Sequence, residues 1–185
     1  MPAPRPDVVD FLLTRRSRPA KTLVPPGPSR AEIQTILTAA ARSPDHGKLE
    51  PWRFAVAEGD ALARLAAQAG MRARALGLDD AAIAKARKPF DDGVCLVTVI
   101  ASPKPSDKIP EGEQLLSAGA VCLAAVNMAL ALGYGANWLT GWLATDPVFL
   151  AEAMECRAGE SVAGFIHIGS ESVVPSERPR PDIEA

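Results

Sequence analysis

Arg15-Arg16-Ser17-Arg18, with Lys21 four residues after Ser17, is the densest basic segment of the chain. Guanidinium forks grip phosphate oxygens in pairs and a seryl hydroxyl adds an O–H donor, so this cluster has the donor set for a phosphate monoester. Placed at the end of a helix, the same residues also read as a solvated basic terminus that favours the helix dipole. A second polar cluster, Arg42 to Phe54, sets Arg42, Asp45, His46 and Lys48 between a helix and a strand, a setting in which loops carry function. A plain turn stays open there too, since Asp45 and Gly47 supply turn chemistry. Cys95, Cys122 and Cys156 are widely spaced and match no Cys-x-x-Cys pattern, and His46 and His167 are the only histidines, so a protein-built metal site is not expected. The cysteines read as reduced core residues of a cytosolic protein.

The chain carries no G-x-G-x-x-G after a strand, no G-x-x-x-x-G-K-[ST] and no G-x-S-x-G, which removes the commonest nucleotide and hydrolase signatures. Its 185 residues, 48% apolar and 23% charged, fit a single domain over 1–185 with a polar, extended tail from about 172. A net charge of −2 gives no global basic field, so neither nucleic acid nor an anionic membrane is an expected partner. The N-terminal segment lacks the apolar core of a signal peptide, and a cytoplasmic location is expected. Leu115 to Leu132 reaches the lower length of a membrane span, but Ser117, Gly119 and Asn127 interrupt it and it reads as a buried central helix.

These residues need elements to position them. The pattern predicts a helix from an N-cap at Asp7 to a basic end at Arg15-Arg16, then extended loop through the prolines of residues 18–28. Ser29 and Glu32 form a capping box for a helix that runs to about Ser43. Trp52 to Val56 reads as a strand, residues 60–88 as two helices divided at Gly70 and Gly77, and Val94 to Ala101 as a buried strand. A mobile surface loop is expected over Ser102 to Pro110. The apolar helix follows to Leu132 and stops at Gly133-Tyr134-Gly135, before a short strand at Ala136 to Leu139. Asp146-Pro147 opens another helix, and Val162 to Gly169 is the last strand. Because helices and strands do not alternate strictly, the expected class is α+β with a central mixed sheet flanked by helices.

Three motifs stand in order: R-R-S at Arg15 to Ser17, S-P-D-H-x-x-x-x-P-W-R-F from Ser43 to Phe54, and S-A-G-x-x-x-x-A-x-x-x-M-A-x-x-x-G-Y-G-x-x-W-x-x-G from Ser117 to Gly141. Together they resemble the FMN-dependent nitroreductase family, in its short, single-domain YdjA-like clade, over roughly residues 7 to 170. The resemblance implies an α+β nitroreductase fold and an obligate homodimer with two FMN molecules at the subunit interface. It implies that Arg15, Arg16 and Ser17 hold the phosphate and ribityl end, that Arg42 and His46 reach the flavin from the partner subunit, and that Trp138, Leu139 and Thr140 lie along it. Met128, Ala129, Leu130, Ala131, Leu132 and Gly133 correspond to a nicotinamide-nucleotide contact in close relatives, although core packing accounts for the same apolar residues. Lys48 and Glu50 stand where many family members carry Asn and Gln before Pro-Trp, and Lys21 or Arg18 replaces a displaced arginine.

The implied activity is a ping-pong NAD(P)H oxidoreductase, with hydride passing through flavin N5 to a nitroaromatic, quinone or other electron-poor small molecule, and with no catalytic side chain required. Two other readings remain: a flavin-binding sensor or carrier without steady turnover, and a helical interaction protein with no cofactor.

Overall fold

The computed structural model describes residues 3–183; Met1 and Pro2, and Glu184 and Ala185 at the end of the expected tail, lie outside the described residues. The elements follow in the order α1 (Pro6–Thr14), β1 (Leu23–Val24), α2 (Arg30–Ala40), β2 (Trp52–Glu58), α3 (Asp60–Ala75), α4 (Asp80–Asp91), β3 (Cys95–Ala101), α5 (Glu111–Ala131), β4 (Gly135–Leu139), α6 (Pro147–Ala153) and β5 (Ser161–Glu171). The fold is α+β. The sheet is antiparallel throughout, which corrects the expected mixed sheet: β2 lies beside β3, β3 beside β5, and both β4 and β1 pair with β5, with no parallel pair among the described residues.

Both faces of the sheet are covered. Along β3, Val97 and Val99 join Ile33 and Ile36 of α2, Val121 and Val126 of α5, and Ile166 and Ile168 of β5 in one core. Leu96 and Ile100, on the opposite face, pack with Leu62, Phe90, Phe149 and Phe165 in a second. This two-sided burial is why Val94 to Ala101 is apolar on both faces except at Thr98, rather than alternating. Helix α5 is long and apolar enough to cross a membrane. Here its Ala118, Val121, Cys122, Ala125 and Ala129 are buried between α2 and the sheet.

Local chemistry explains most boundaries. The α2 capping box forms in full, with Glu32 N–H donating to Ser29 Oγ (3.4 Å) and Ser29 N–H to Glu32 Oε2 (2.8 Å). The Tyr134 hydroxyl donates to the same carboxylate (2.9 Å) and ties α2 to the turn after α5. The break between α3 and α4 falls at Gly77, in the left-handed region at φ 71°, while Gly70 stays inside α3. Asp146 caps α6 by accepting from Phe149 N–H (2.8 Å).

Four further expectations are corrected. Helix α1 has Pro6 at its start and Arg5 at the N-cap, so Asp7 does not cap it and instead pairs with Arg5 (2.8 Å). It ends at Thr14, which leaves Arg15 and Arg16 beyond the helix rather than in its last turn. The segment 18–28 is not extended throughout: it holds a 3-10 turn at Ala20–Thr22 and the short strand β1. The loop Ser102 to Pro110 is pinned, because buried Gln114 accepts from Lys104 N–H (2.8 Å) and donates to Lys104 O (3.0 Å) and Ile109 O (3.3 Å). One amide thereby satisfies three backbone groups of an irregular segment.

Candidate functional site

Past the end of α1 the chain turns extended at Arg15 (ψ 141°) and runs to β4. Arg18 N–H donates to Ala136 O (2.8 Å) and the Asn137 side-chain amide donates back to Arg18 O (2.7 Å), so the basic segment is fastened to the strand. Arg18 Nε donates to Glu171 at the end of β5 (2.7 Å). Arg15 Nη2 donates to Ser17 Oγ (2.9 Å), and Arg16 reaches Ser17 O (3.3 Å) and Ser176 O of the tail (3.5 Å). The Nε atoms of Arg15 and Arg16 are both enclosed without a hydrogen-bond partner.

The tail folds back over this cluster. Glu177 lies 4.0 Å from Arg16 Nε and 2.8 Å from Arg180, and Arg180 stands within electrostatic reach of Arg15. The tail thus brings its arginine to the basic cluster of its own chain. Burial, and after it the charges of Arg180, Arg16 and Arg18, hold Arg15 below the usual guanidinium range, although an arginine stays charged regardless. Buried N–H donors without acceptors, a hydroxyl beside them and surplus positive charge match a phosphate-sized anion.

The same stretch of chain continues into the wall of a cavity of about 700 Å³, where Pro19, Ala20 and Lys21 face α4, the end of β4 and the 3-10 turn Trp142–Ala144. Strand register decides which side chains enter it. Asn137 pairs across from His167 and Leu139 from Phe165, and all four line the cavity. Trp138 and Ile166 alternate to the opposite face. With Phe90 and Leu143 the walls are mostly apolar. The polar groups are few: Lys21, Lys85, Lys88, Asn137, Thr140 and His167, with Lys88 already paired to Asp92 (2.7 Å). A large apolar cleft with a few convergent polar groups is the usual form of a cofactor site.

The expected site residues fall into three groups. Arg15, Arg16 and Ser17 are together in the segment that leads into the cavity wall at Pro19, though they do not line the cavity themselves, and Leu139 and Thr140 are in its wall. Trp138 faces α5 within the protomer: its indole N–H donates to Ala163 O (3.1 Å), and it lies so close over Gly164 that a Cβ there would collide with the ring. Arg42 and His46 line no part of this cavity. His46 Nδ1 sits 3.0 Å from Glu113 on the exposed surface. Its loop is shaped by Asp45, whose carboxylate accepts from Leu49 N–H (3.2 Å) and Glu50 N–H (2.8 Å), with Lys48 and Glu50 both at positive φ. Non-glycine residues in that region are strained, and such strain concentrates at functional loops.

Met128 to Gly133 closes α5 away from the cavity. Ala129 is buried, Met128, Leu130 and Leu132 pack against the core beneath α2, and Gly133 terminates the helix. Burial pushes the thiols of Cys95 and Cys122 up to about 12, which leaves both inert. Sequence reasoning missed Lys85, Asn137 and His167 as cavity residues. Lys85 is one basic residue among many in its helix. His167 did carry a signal, as the one polar side chain in the run Val162 to Gly169.

Comparison with known proteins places this geometry. The family model described as "Nitroreductase family" matches residues 12–170. YdjA of Escherichia coli K12, whose name assigns it provisionally to the NAD(P)H nitroreductases, is 38% identical over 164 residues, covering 89% of this chain and 88% of its own. Among solved structures, a nitroreductase-like family protein from Bacillus cereus superposes with a TM-score of 0.81 at 21% identity, over 96% of this chain and 92% of that one. A Desulfovibrio desulfuricans protein provisionally described as a nitroreductase, solved in complex with FMN, superposes with a TM-score of 0.74 at 22% identity, over 98% and 95%. At such identities the two structures speak to the fold.

Proposed function

The chain belongs to the nitroreductase family, and from that premise we propose that it is a homodimeric, FMN-dependent oxidoreductase that takes hydride from NADH or NADPH and delivers it to an electron-poor small molecule such as a nitroaromatic or quinone. The observation that carries the reading is the pair of enclosed Nε atoms of Arg15 and Arg16 that lack a hydrogen-bond acceptor, beside Ser17 and in the segment that continues through Pro19 to Lys21 into the wall of the apolar cavity. Those donors fit a phosphate, and the cavity behind them has the volume and apolar walls for a flat heteroaromatic ring. The name of YdjA and the FMN of the Desulfovibrio protein point the same way.

Bound there, FMN would supply a reversible two-electron store that accepts and returns hydride. Arg15, Arg16 and Ser17 bind its phosphate, and Arg180 of the tail adds positive charge at the same place. Leu139 and Thr140 form the wall against the ring and exclude water from one side of it. Lys21 and Lys85, neither engaged in an ion pair among the described residues, would place positive charge in the cavity, which favours the electron-rich reduced form of a bound flavin. No side chain has to move a proton for this scheme.

The dimer is supported by α1, none of whose residues is buried. Val8, Val9, Leu12 and Leu13 all lie on its exposed surface, Leu13 being 79% exposed. Leu116 and Leu123 of α5 are likewise exposed. A second copy removes such apolar surface from water, and brings Arg42 and His46 to the partner's cavity, which explains why they line none in their own protomer.

The test is an absorption spectrum of purified protein with and without added FMN, followed by anaerobic NADH and then NADPH. Flavin bands that bleach and recover with a quinone are expected. Bands that persist under both nucleotides would replace the enzyme with a flavin carrier, and failure to take up FMN would remove the phosphate reading of Arg15 and Arg16.

A further inference from the structure

Residue 167 sits on β5 in a run, Val162 to Gly169, whose other members are all apolar or glycine. Its neighbours across the sheet are Leu96 on β3 and Asn137 on β4. The Leu96 side chain offers no hydrogen bond, and the Asn137 amide, which donates to Arg18 O (2.7 Å), makes none to the imidazole. His167 is 2% exposed, and its Nε2 is enclosed without a partner. The charged groups of the same cavity are Lys21, Lys85, and Lys88 with its partner Asp92. None of them bonds the imidazole. A leucine or phenylalanine would fill this volume without an unsatisfied nitrogen, so the polar ring costs the empty protein stability that nothing in the chain returns.

We propose that His167 is the buried hydrogen-bonding contact that fixes the orientation of the flat heteroaromatic group held in the cavity, an inference that rests on reading that cavity as the flavin site. Burial alone holds the imidazole down to about 4, so the ring is neutral near pH 7. A neutral imidazole carries one donor and one acceptor, and rotation about its Cβ–Cγ bond presents either nitrogen to the cavity. That suits a heterocycle whose edge alternates donors and acceptors, and it adds no charge to a site already supplied by Lys21 and Lys85. The contact is a binding and orienting one and takes no part in proton transfer.

The experiment uses the full chain freed of flavin and then titrated with FMN. Because the protein has only two histidines, one exposed and one buried, long-range 1H–15N spectra resolve the His167 ring directly. A shift of its nitrogen resonances on FMN addition is expected. In parallel, His167→Phe should bind FMN about fivefold to tenfold more weakly, as for one lost hydrogen bond, while the flavin-free variant melts no lower than wild type. His167→Gln should recover part of the affinity. Wild-type protein that binds FMN with unmoved His167 resonances, or a His167→Phe variant of equal affinity, overturns the proposal and leaves the cavity reading intact. A variant that melts lower with affinity unchanged marks His167 as a core residue and overturns it as well. Wild-type protein that takes up no FMN defeats the cavity reading and the proposal together. Should His167→Phe fail to fold, the resonances of the wild-type ring decide alone.

Discussion

Two regions of this molecule bury arginines, and they differ in what answers them. At the edge of β2, Arg53 donates from Nε (3.0 Å) and Nη2 (2.8 Å) to Glu160, and Glu160 accepts a further bond from Arg157 N–H (2.8 Å). Arg72 closes on Asp146 in the same two-pronged way, from Nε (2.9 Å) and Nη2 (2.9 Å). None of these four side chains holds a buried polar atom without a partner. At Arg15 to Arg18 two enclosed Nε atoms lack a hydrogen-bond acceptor; Arg18 pairs with Glu171, Arg16 and Arg180 share Glu177, and Arg15 feels the charges of all three arginines. Since an unmade buried hydrogen bond costs more than a made one returns, the first region is completed by folding, and the second is the one that the proposed function completes with a ligand. Mutations in the first should therefore move stability and leave binding alone, and mutations in the second should do the reverse.

The largest effect belongs to the closed region. Glu160→Ala strands Arg53 and is expected to lower the unfolding free energy by about 3 kcal/mol, the scale for breaking a mostly buried pair, with FMN affinity unchanged in the surviving folded fraction. Urea denaturation with a parallel flavin titration checks both. The pH dependence gives a second handle. The Arg53 bonds hold the Glu160 carboxyl down to about 2 from an ordinary 4.5, so the native state binds this proton later than the unfolded chain. The stabilisation is complete above about pH 4.5 and lost as pH falls through about 2. That acid limb should be shallower in Glu160→Ala, and identical acid limbs would show that the pair is not coupled to folding.

Arg16→Ala should give the opposite signature. Loss of a charge-assisted donor set is expected to weaken FMN binding about tenfold to a hundredfold, at ~1.4 kcal/mol per tenfold, while the flavin-free protein melts little lower, because what Arg16 gives up is long: Ser17 O (3.3 Å), Ser176 O (3.5 Å) and Glu177 (4.0 Å). Flavin occupancy after gel filtration and the melting temperature of the flavin-free protein are the readouts. Unchanged occupancy would erase the distinction between the two regions.

The contrast was only half legible in the sequence. The Ser29–Glu32 capping box, the Asp146-Pro147 helix start and the two-sided burial of β3 follow from local pattern, and the structure reproduces them. Arg15, Arg16 and Ser17 stood out by residue type, since a guanidinium cluster is visible without a fold. Which arginines are answered was not visible, because Glu160 lies 107 residues from Arg53 and Asp146 lies 74 from Arg72. The face of β4 posed the same difficulty. Alternation separates Trp138 from Asn137 and Leu139, but only the pairing of β4 with β5, and the packing of α4 below them, decides which parity meets the cavity. Helix α1 misled at both ends: Pro6 is a better first helical residue than Asp7 is a cap, and the chain turns extended at Arg15, which leaves Arg15 and Arg16 outside the helix.

The smallest expected effect sharpens the comparison most, because Glu177 belongs to neither region cleanly. It is an exposed carboxylate of the tail that meets Arg180 (2.8 Å) and approaches Arg16 (4.0 Å), and the Arg178 N–H together with Arg180 and Arg16 holds its carboxyl below the usual range. If the cluster is completed by a ligand, Glu177 is a weak internal competitor for the same guanidinium groups. Glu177→Gln then frees them and tightens FMN binding about twofold at low salt, the gain fading as salt screens the exposed pair. If Glu177 instead tethers the tail so that Arg180 stays beside Arg15, the same substitution weakens binding. A flavin titration at two ionic strengths separates these outcomes, and tightening is expected, because a contact as long as 4.0 Å leaves the Arg16 donor free for a better acceptor.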